Sequence, residues 1–344
     1  MKKRLPLFRI LPLLTLMLGM VAVAAVPESS RQALRQLIQR AEKGDAKALY
    51  DLGVLHDTGY DTIPVDSARS TALYRLSAEK GYAPAQNYLG FRYFNGEYIK
   101  QDVDSALYWL AKAAGNGDVK AANNLGFLLS NSDVVTRDYK QAIYWLTMAT
   151  EAGLPAAAGN LADLYRQGLG TPADTVVAEQ LYNMAIEGGL PDADKKLLNM
   201  MGPIWKNLPG DSAVELGKYY YLRQAPAIGI DLFENAAKQG NIDALALLGD
   251  AYSRAIGVEY DHLKSVEYFL KAALNGHPSA QFVIGELLEI FPDALSEDPL
   301  PDIIVEHFEG FPPSFIYDPT FWYEKAAENG VNDAQTATDF LFSQ

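Results

Sequence analysis

Acid–base or metal chemistry in this chain would have to come from four histidines, His56, His262, His277 and His307, and from 43 aspartates and glutamates. A zinc site needs three or four nitrogen, sulfur or carboxylate ligands at characteristic spacings. There is no cysteine, and no carboxylate stands at a matching spacing to His262 and His277, the two histidines that fall in one segment. His262 and His277 are therefore expected in solvated loops, and no metal or cofactor is expected. Nucleophilic and phosphate chemistry have no pattern either: the chain holds no Gly-x-Ser-x-Gly, no phosphate-binding glycine loop and no His-Glu-x-x-His. With so many carboxylates, some pair will lie at glycosidase distance by chance. No catalytic residue stands out.

Recognition has a better candidate set. A segment Ala-x-x-x-Leu-Gly-x recurs, and the residues before its leucine and after its glycine vary: Asp51/Val54, Tyr88/Phe91, Asn124/Phe127 and Asn160/Asp163. Positions three apart share a helix face. Tyr88, Phe91, Asn124, Phe127, Asn160 and Asp163 are thus expected to line one concave groove. Aromatic and asparagine side chains together suit an extended protein or peptide segment, or a cell-wall glycan. The alternative for Phe91 and Phe127 is packing between repeats.

The elements that must position these residues are legible from glycines. Gly44, Gly81, Gly117, Gly153, Gly189, Gly240, Gly276 and Gly330 recur mostly 36 apart, a period typical of helix-pair arrays. Four residues before each later glycine stands a small residue: Ser77, Ala113, Ala149, Ala185, Ala236, Ala272 and Ala326. Eleven before stand Ser70, Ala106, Ala142, Ala178, Gly229 and Ser265, and between them bulky pairs such as Trp109 with Leu110. Small residues let helix axes approach, and large ones fill the gaps. The junction glycine suits a helix end in the left-handed conformation. A mid-helix glycine costs about 1 kcal/mol against alanine, so the recurrence of Gly53, Gly90, Gly126, Gly249 and Gly285 implies close backbone packing.

Ala-x-x-x-Leu-Gly, a polar turn, then a helix Ala-x-x-Trp/Tyr ending in Ala-x-x-x-Gly resembles the Sel-one-like repeat family, which is related to tetratricopeptide repeats. The resemblance covers residues 31–290 and returns at 320–342. It implies an all-α fold: an α/α superhelix, a right-handed solenoid of antiparallel helix pairs, serving protein–protein interaction and assembly. It carries no shared catalytic residue.

Residues 1–24 read as a cleaved signal peptide: basic Lys2, Lys3, Arg4 and Arg9, an apolar run over 10–21, and small Ala22-Val23-Ala24. Repeats are expected over 28–203, a break or linker over 204–212, and further repeats over 213–344 with an inserted loop at 291–319. The loop's Phe308, Phe311, Phe315 and Tyr317 either form a functional surface or cover the end of the core. The net charge of −14 becomes about −18 without the leader. That argues against nucleic acid and anionic membrane surfaces, which are bound through Lys and Arg. The expected function is an exported interaction scaffold in the periplasm or secreted from the bacterial envelope. The alternative is a cell-wall hydrolase or secreted effector built on the same repeats.

Overall fold

The computed structural model describes residues 28–60, 63–296, 300–308 and 314–333. The expected signal peptide lies outside them. Among the described residues the chain is all-α, with one isolated bridge between Tyr60 and Ile63. Two compact units divide it, the first ending at Leu125 and the second beginning at Gly126.

The first unit holds α1 (Glu28–Glu42), α2 (Ala46–Thr58), α3 (Ser67–Glu79), α4 (Ala83–Asn95), α5 (Val103–Gly115) and the start of α6 (Val119–Asn131). Helices α2 with α3 and α4 with α5 form tight antiparallel pairs, and α1 packs on α2 as a cap. The second unit continues with α7 (Tyr139–Glu151), α8 (Pro155–Gln167), α9 (Thr175–Glu187), α10 (Ala193–Trp205), α11 (Gly210–Tyr221) and α12 (Pro226–Lys238). It ends with α13 (Ile242–Arg254), α14 (His262–Leu274), α15 (Pro278–Ile290), α16 (Leu300–His307) and α17 (Pro319–Glu328). Its pairs are α8/α9, α11/α12, α13/α14 and α15/α17.

The glycines behave as their spacing predicts. All eight junction glycines have positive φ, from 74° at Gly189 to 92° at Gly276. The mid-helix glycines sit under bulky side chains of the partner helix. A Cβ on Gly90 would lie 2.8 Å from Leu110 Cγ and 3.1 Å from the Ala106 carbonyl oxygen, and one on Gly126 2.6 Å from Leu146 Cγ. Ser70, Ala106, Ala142, Ala178 and Ser265 are buried at the facing positions. Helix starts are capped by side chains: Asp45, Asp66, Asp138 and Asp174 accept from backbone N–H groups. At α5 the cap is Asp102, with Asp104 in the first turn.

The break expected over 204–212 is narrower, although Gly202 and Pro203 precede it. Helix α10 runs through both to Trp205, and α11 starts at Gly210. Buried Met201, Gly202 and Trp205 hold that last turn. Helix α10 has no pair partner of its own and packs on α9 and α12. The insertion after α15 also differs from a structureless loop. It contains α16 and short 3-10 turns at Ala294–Ser296 and Ser314–Tyr317. Aliphatic Leu295, Leu300, Ile304 and Ile316 cover the core there, whereas Phe315 and Tyr317 are exposed. Phe311 lies outside the described residues. The interrupted pair still closes: a Cβ on Gly285 would lie 2.9 Å from Tyr323 Cε1, the same relation as Gly53 to Tyr74.

Candidate functional site

An open cavity of about 490 Å³ lies in the first unit. Helix α2 supplies Tyr50, α4 supplies Pro84, Asn87 and Tyr88, and the α5–α6 junction supplies Asn116, Asp118 and Lys120. One wall is a run of carboxamides. Asn87 donates to Asp118 Oδ1 at 3.4 Å and accepts from Asn124 Nδ2 at 3.3 Å. Asn116 donates to Gln86 Oε1 at 2.9 Å, and Gln86 donates to the Ala78 carbonyl at 2.9 Å. Asp118 is held in turn because it caps α6, accepting from the Ala121 N–H at 2.8 Å.

The other wall is anchored from beneath. The Tyr88 hydroxyl donates to Asp57 Oδ2 at 3.1 Å, and its ring lies 4.5 Å from that of Tyr74. Asp57 also accepts from Ser70, from the Tyr74 hydroxyl at 2.9 Å, and from Arg92 Nη2 at 2.6 and 2.7 Å. Arg92 is 1% exposed. Its guanidinium lies 5.1 Å from the Tyr74 and Tyr88 ring centres and 5.0 Å from that of Tyr98, within cation–π range. Burial works to raise the Asp57 pKa, but the donors from Ser70, Tyr74 and Arg92 outweigh it and hold the carboxyl below its ordinary value. Burial, then the Asp57 charge, push the Tyr88 phenol up. The Asp57 carboxylate is ionised at neutral pH, and its hydrogen bond from the Tyr88 hydroxyl holds that ring at the cavity edge.

The six expected groove residues divide between the units. In the first, Tyr88 lines the cavity and Asn124 joins it through Asn87. Phe91 does not line it; it is 50% exposed on α4. In the second unit Phe127 is 46% exposed. Both phenylalanines are about half exposed, so neither is a core residue. Asn160 is half-buried on α8. The Asp163 carboxylate is already engaged: it accepts from the Tyr182 hydroxyl at 2.7 Å and from Lys196 at 2.7 Å, with Arg166 3.7 Å away.

Sequence reasoning missed Tyr50, Asn87, Asn116, Asp118 and Lys120. Asp118 carried a signal: it follows a junction glycine, the capping position also held by Asp45, Asn241 and His277. Of the two histidines expected in solvent, His262 is exposed at the start of α14, and the expectation is corrected for His277. His56 and His277 are buried. His277 caps α15, its Nδ1 accepting from the Ala280 N–H at 3.2 Å, and its Nε2 lies 3.6 Å from Asp243. Burial lowers its pKa against the opposing Asp243 charge. Among the described residues no group of three or more His, Asp or Glu could hold a metal ion.

Repeated antiparallel helix pairs define a helical repeat protein. The Sel1 repeat family profile matches residues 46–82, 83–118, 119–154, 155–190, 210–241, 242–277 and 321–331. The chain belongs to the Sel1 repeat family. Sel1 repeats are protein–protein interaction modules, and proteins built on them are typically non-enzymatic scaffolds. The last match covers only α17, and α15 supplies the other half of that repeat across the insertion.

Over 77 residues the chain is 38% identical to the ERAD-associated E3 ubiquitin-protein ligase component HRD3 of Candida glabrata, which is 22% of this chain and 9% of that protein. A protective antigen of uropathogenic Escherichia coli with an SLR fold is 27% identical, covering 89% of this chain and 62% of that one, at a TM-score of 0.47. A Sel1 repeat protein from Oxalobacter formigenes is 25% identical over 70% of this chain and 92% of that one, at a TM-score of 0.46. The chain thus spans less than a tenth of HRD3 and under two thirds of the antigen.

Proposed function

We propose that this chain is an exported, non-enzymatic scaffold of the bacterial envelope that holds an extended segment of a partner protein in the cavity of its first unit. The observation that carries the reading is the pairing of a carboxamide wall with a fixed tyrosine wall. An extended segment presents backbone N–H and C=O groups every 3.3 Å or so, and a carboxamide offers both a donor and an acceptor to meet them. The rings of Tyr50 and Tyr88 add apolar area beside that wall. Lys2, Lys3, Arg4, the apolar run over 10–21 and Ala22-Val23-Ala24 support export.

The test is capture of partners from envelope extracts by the mature chain. Asn87→Ala with Tyr88→Ala should weaken capture by about thirtyfold, the effect of losing roughly 2 kcal/mol at an anchor. Phe91→Ala, outside the cavity, is the control. Undiminished capture by the double variant removes the site from the cavity. N-terminal sequencing of exported protein should begin at Ala25 or Val26, and a retained Met1 removes the envelope assignment.

A further inference from the structure

A second concavity lies in the second unit, between α7, α8 and α9. It holds about 160 Å³, well beyond the roughly 15 Å³ of probe-occupied volume that one water needs. Its lining includes Thr150, Pro155, Ala158, Met184 and Gly188. The repeat register says what occupies the matching space in two other repeats. Count from the junction glycines: Ala158 stands five residues after Gly153, where Gln86 follows Gly81 and Gln281 follows Gly276. Both glutamines are buried. Gln86 Nε2 donates to the Ala78 carbonyl at 2.9 Å, and Gln281 Nε2 to the Ala273 carbonyl at 3.2 Å. Ala78 and Ala273 each stand three residues before their glycine, and Thr150 is the counterpart.

The opposite wall is truncated at the same place. The Gln86 oxygen accepts from Asn116, one residue before Gly117. The counterpart of Asn116 is Gly188, one before Gly189. A glutamine–asparagine pair in one repeat has thus become alanine and glycine in another. A Cβ on Gly188 would meet Pro155 Cγ at 2.1 Å, so no side chain can refill the gap from that side. The Thr150 hydroxyl, in a residue 6% exposed, has no hydrogen-bond partner among the described residues. A buried hydroxyl left unmade is costly. It stands where Ala78, Ala114 and Ala273 put a methyl group.

We propose that this pocket receives a glutamine side chain presented by a partner protein. The carboxamide would take the place held in other repeats by Gln86 and Gln281. Its NH₂ meets the Thr150 carbonyl, and its oxygen accepts from the Thr150 hydroxyl. Pro155, Ala158 and Met184 cover its methylenes. The proposal is independent of the cavity in the first unit and shares no residue with it.

The experiment titrates N-acetyl-L-glutamine N-methylamide into the mature chain with labelled Ala, Met and Thr methyl groups, followed by NMR. N-acetyl-L-leucine N-methylamide is the control probe. Expected are saturable shifts at Ala158, Thr150 and Met184 with the glutamine probe and weaker ones with leucine. Thr150→Val should weaken the response by roughly fivefold, the loss of one buried hydrogen bond. Ala158→Gln should fill the pocket from within, abolish the response and leave the melting temperature unchanged or higher. Three results would overturn the proposal: no saturable shift, a leucine response equal to the glutamine one, or Ala158→Gln lowering the melting temperature by several degrees.

Discussion

Asp57→Ala tests the foundation of the first cavity. The change would leave Arg92, 1% exposed, with an uncompensated charge, and would remove the acceptor of the Ser70, Tyr74 and Tyr88 hydroxyls. Breaking a buried pair by removing one partner costs about 3–5 kcal/mol. The Asp57 side chain is 15% exposed, so water can partly occupy its place, and the lower end, about 3 kcal/mol, is expected. A repeat chain need not unfold in one step, so a readout local to α2, α3 and α4 is the more direct one. Hydrogen exchange by mass spectrometry reads the loss locally. At about 1.4 kcal/mol per decade, amides of α2, α3 and α4 should exchange roughly a hundredfold faster. Asp57→Leu with Arg92→Met should recover most of the protection, because an apolar pair of similar volume leaves no charge behind. An acceleration under threefold, or an equal one in the second unit, would refute the reasoning. The pH dependence has a definite sign. The folded pKa of Asp57 is depressed, so its contribution is complete above the unfolded value of 3.8 and is lost as pH falls below it.

Three further outcomes follow from the packing. Gly90→Ala gains about 1 kcal/mol of helix propensity but drives a methyl to 2.8 Å from Leu110 Cγ; overpacking costs about 1–3 kcal/mol, so thermal stability should fall. Ala255 ends α13 at φ 54°, where α4 and α8 end in Gly96 and Gly168; Ala255→Gly should stabilise by about 1 kcal/mol in urea titration. His277 is held neutral by burial, with a folded pKa below its unfolded 6.5. Its contribution is therefore present above pH 6.5 and declines below it, so α15 should exchange faster at pH 5.5 than at 7.5 after correction for intrinsic rates, with the difference reduced in His277→Asn.

The repeat was legible because its demands are local. A left-handed helix end selects glycine, and a close helix crossing selects Ser, Ala or Gly, so both leave marks at fixed spacing. Asp57 and Arg92 left no such mark. They are 35 residues apart, on neighbouring repeats, and no recurring spacing links them in the sequence. The same limit applies to Asn87, which meets Asn124 and Asp118 only once the pairs stack. Variability at Phe91 and Asp163 marked positions that the repeat pattern does not fix. It did not say whether a partner or a neighbouring side chain would take them, and for Asp163 it was Tyr182 and Lys196. Burial of His277 was hidden for a related reason: it fills a capping position usually given to Asp or Asn.

Chain length is distributed unevenly around these pairs. Links from one pair to the next are short and nearly constant, as at 80–82, 116–118, 152–154, 239–241 and 275–277. Links inside a pair vary from 222–225 to 291–318, and the longest still leaves α15 and α17 in contact. Closure entropy grows only with the logarithm of loop length, about 0.6 kcal/mol per doubling, while the Gly285–Tyr323 fit is set by the helices themselves. The chain can therefore acquire new material at the turns inside its pairs without altering the stack. Those turns are where a reporter or a foreign recognition loop could be grafted, and where descendants of this sequence would be free to diverge in length.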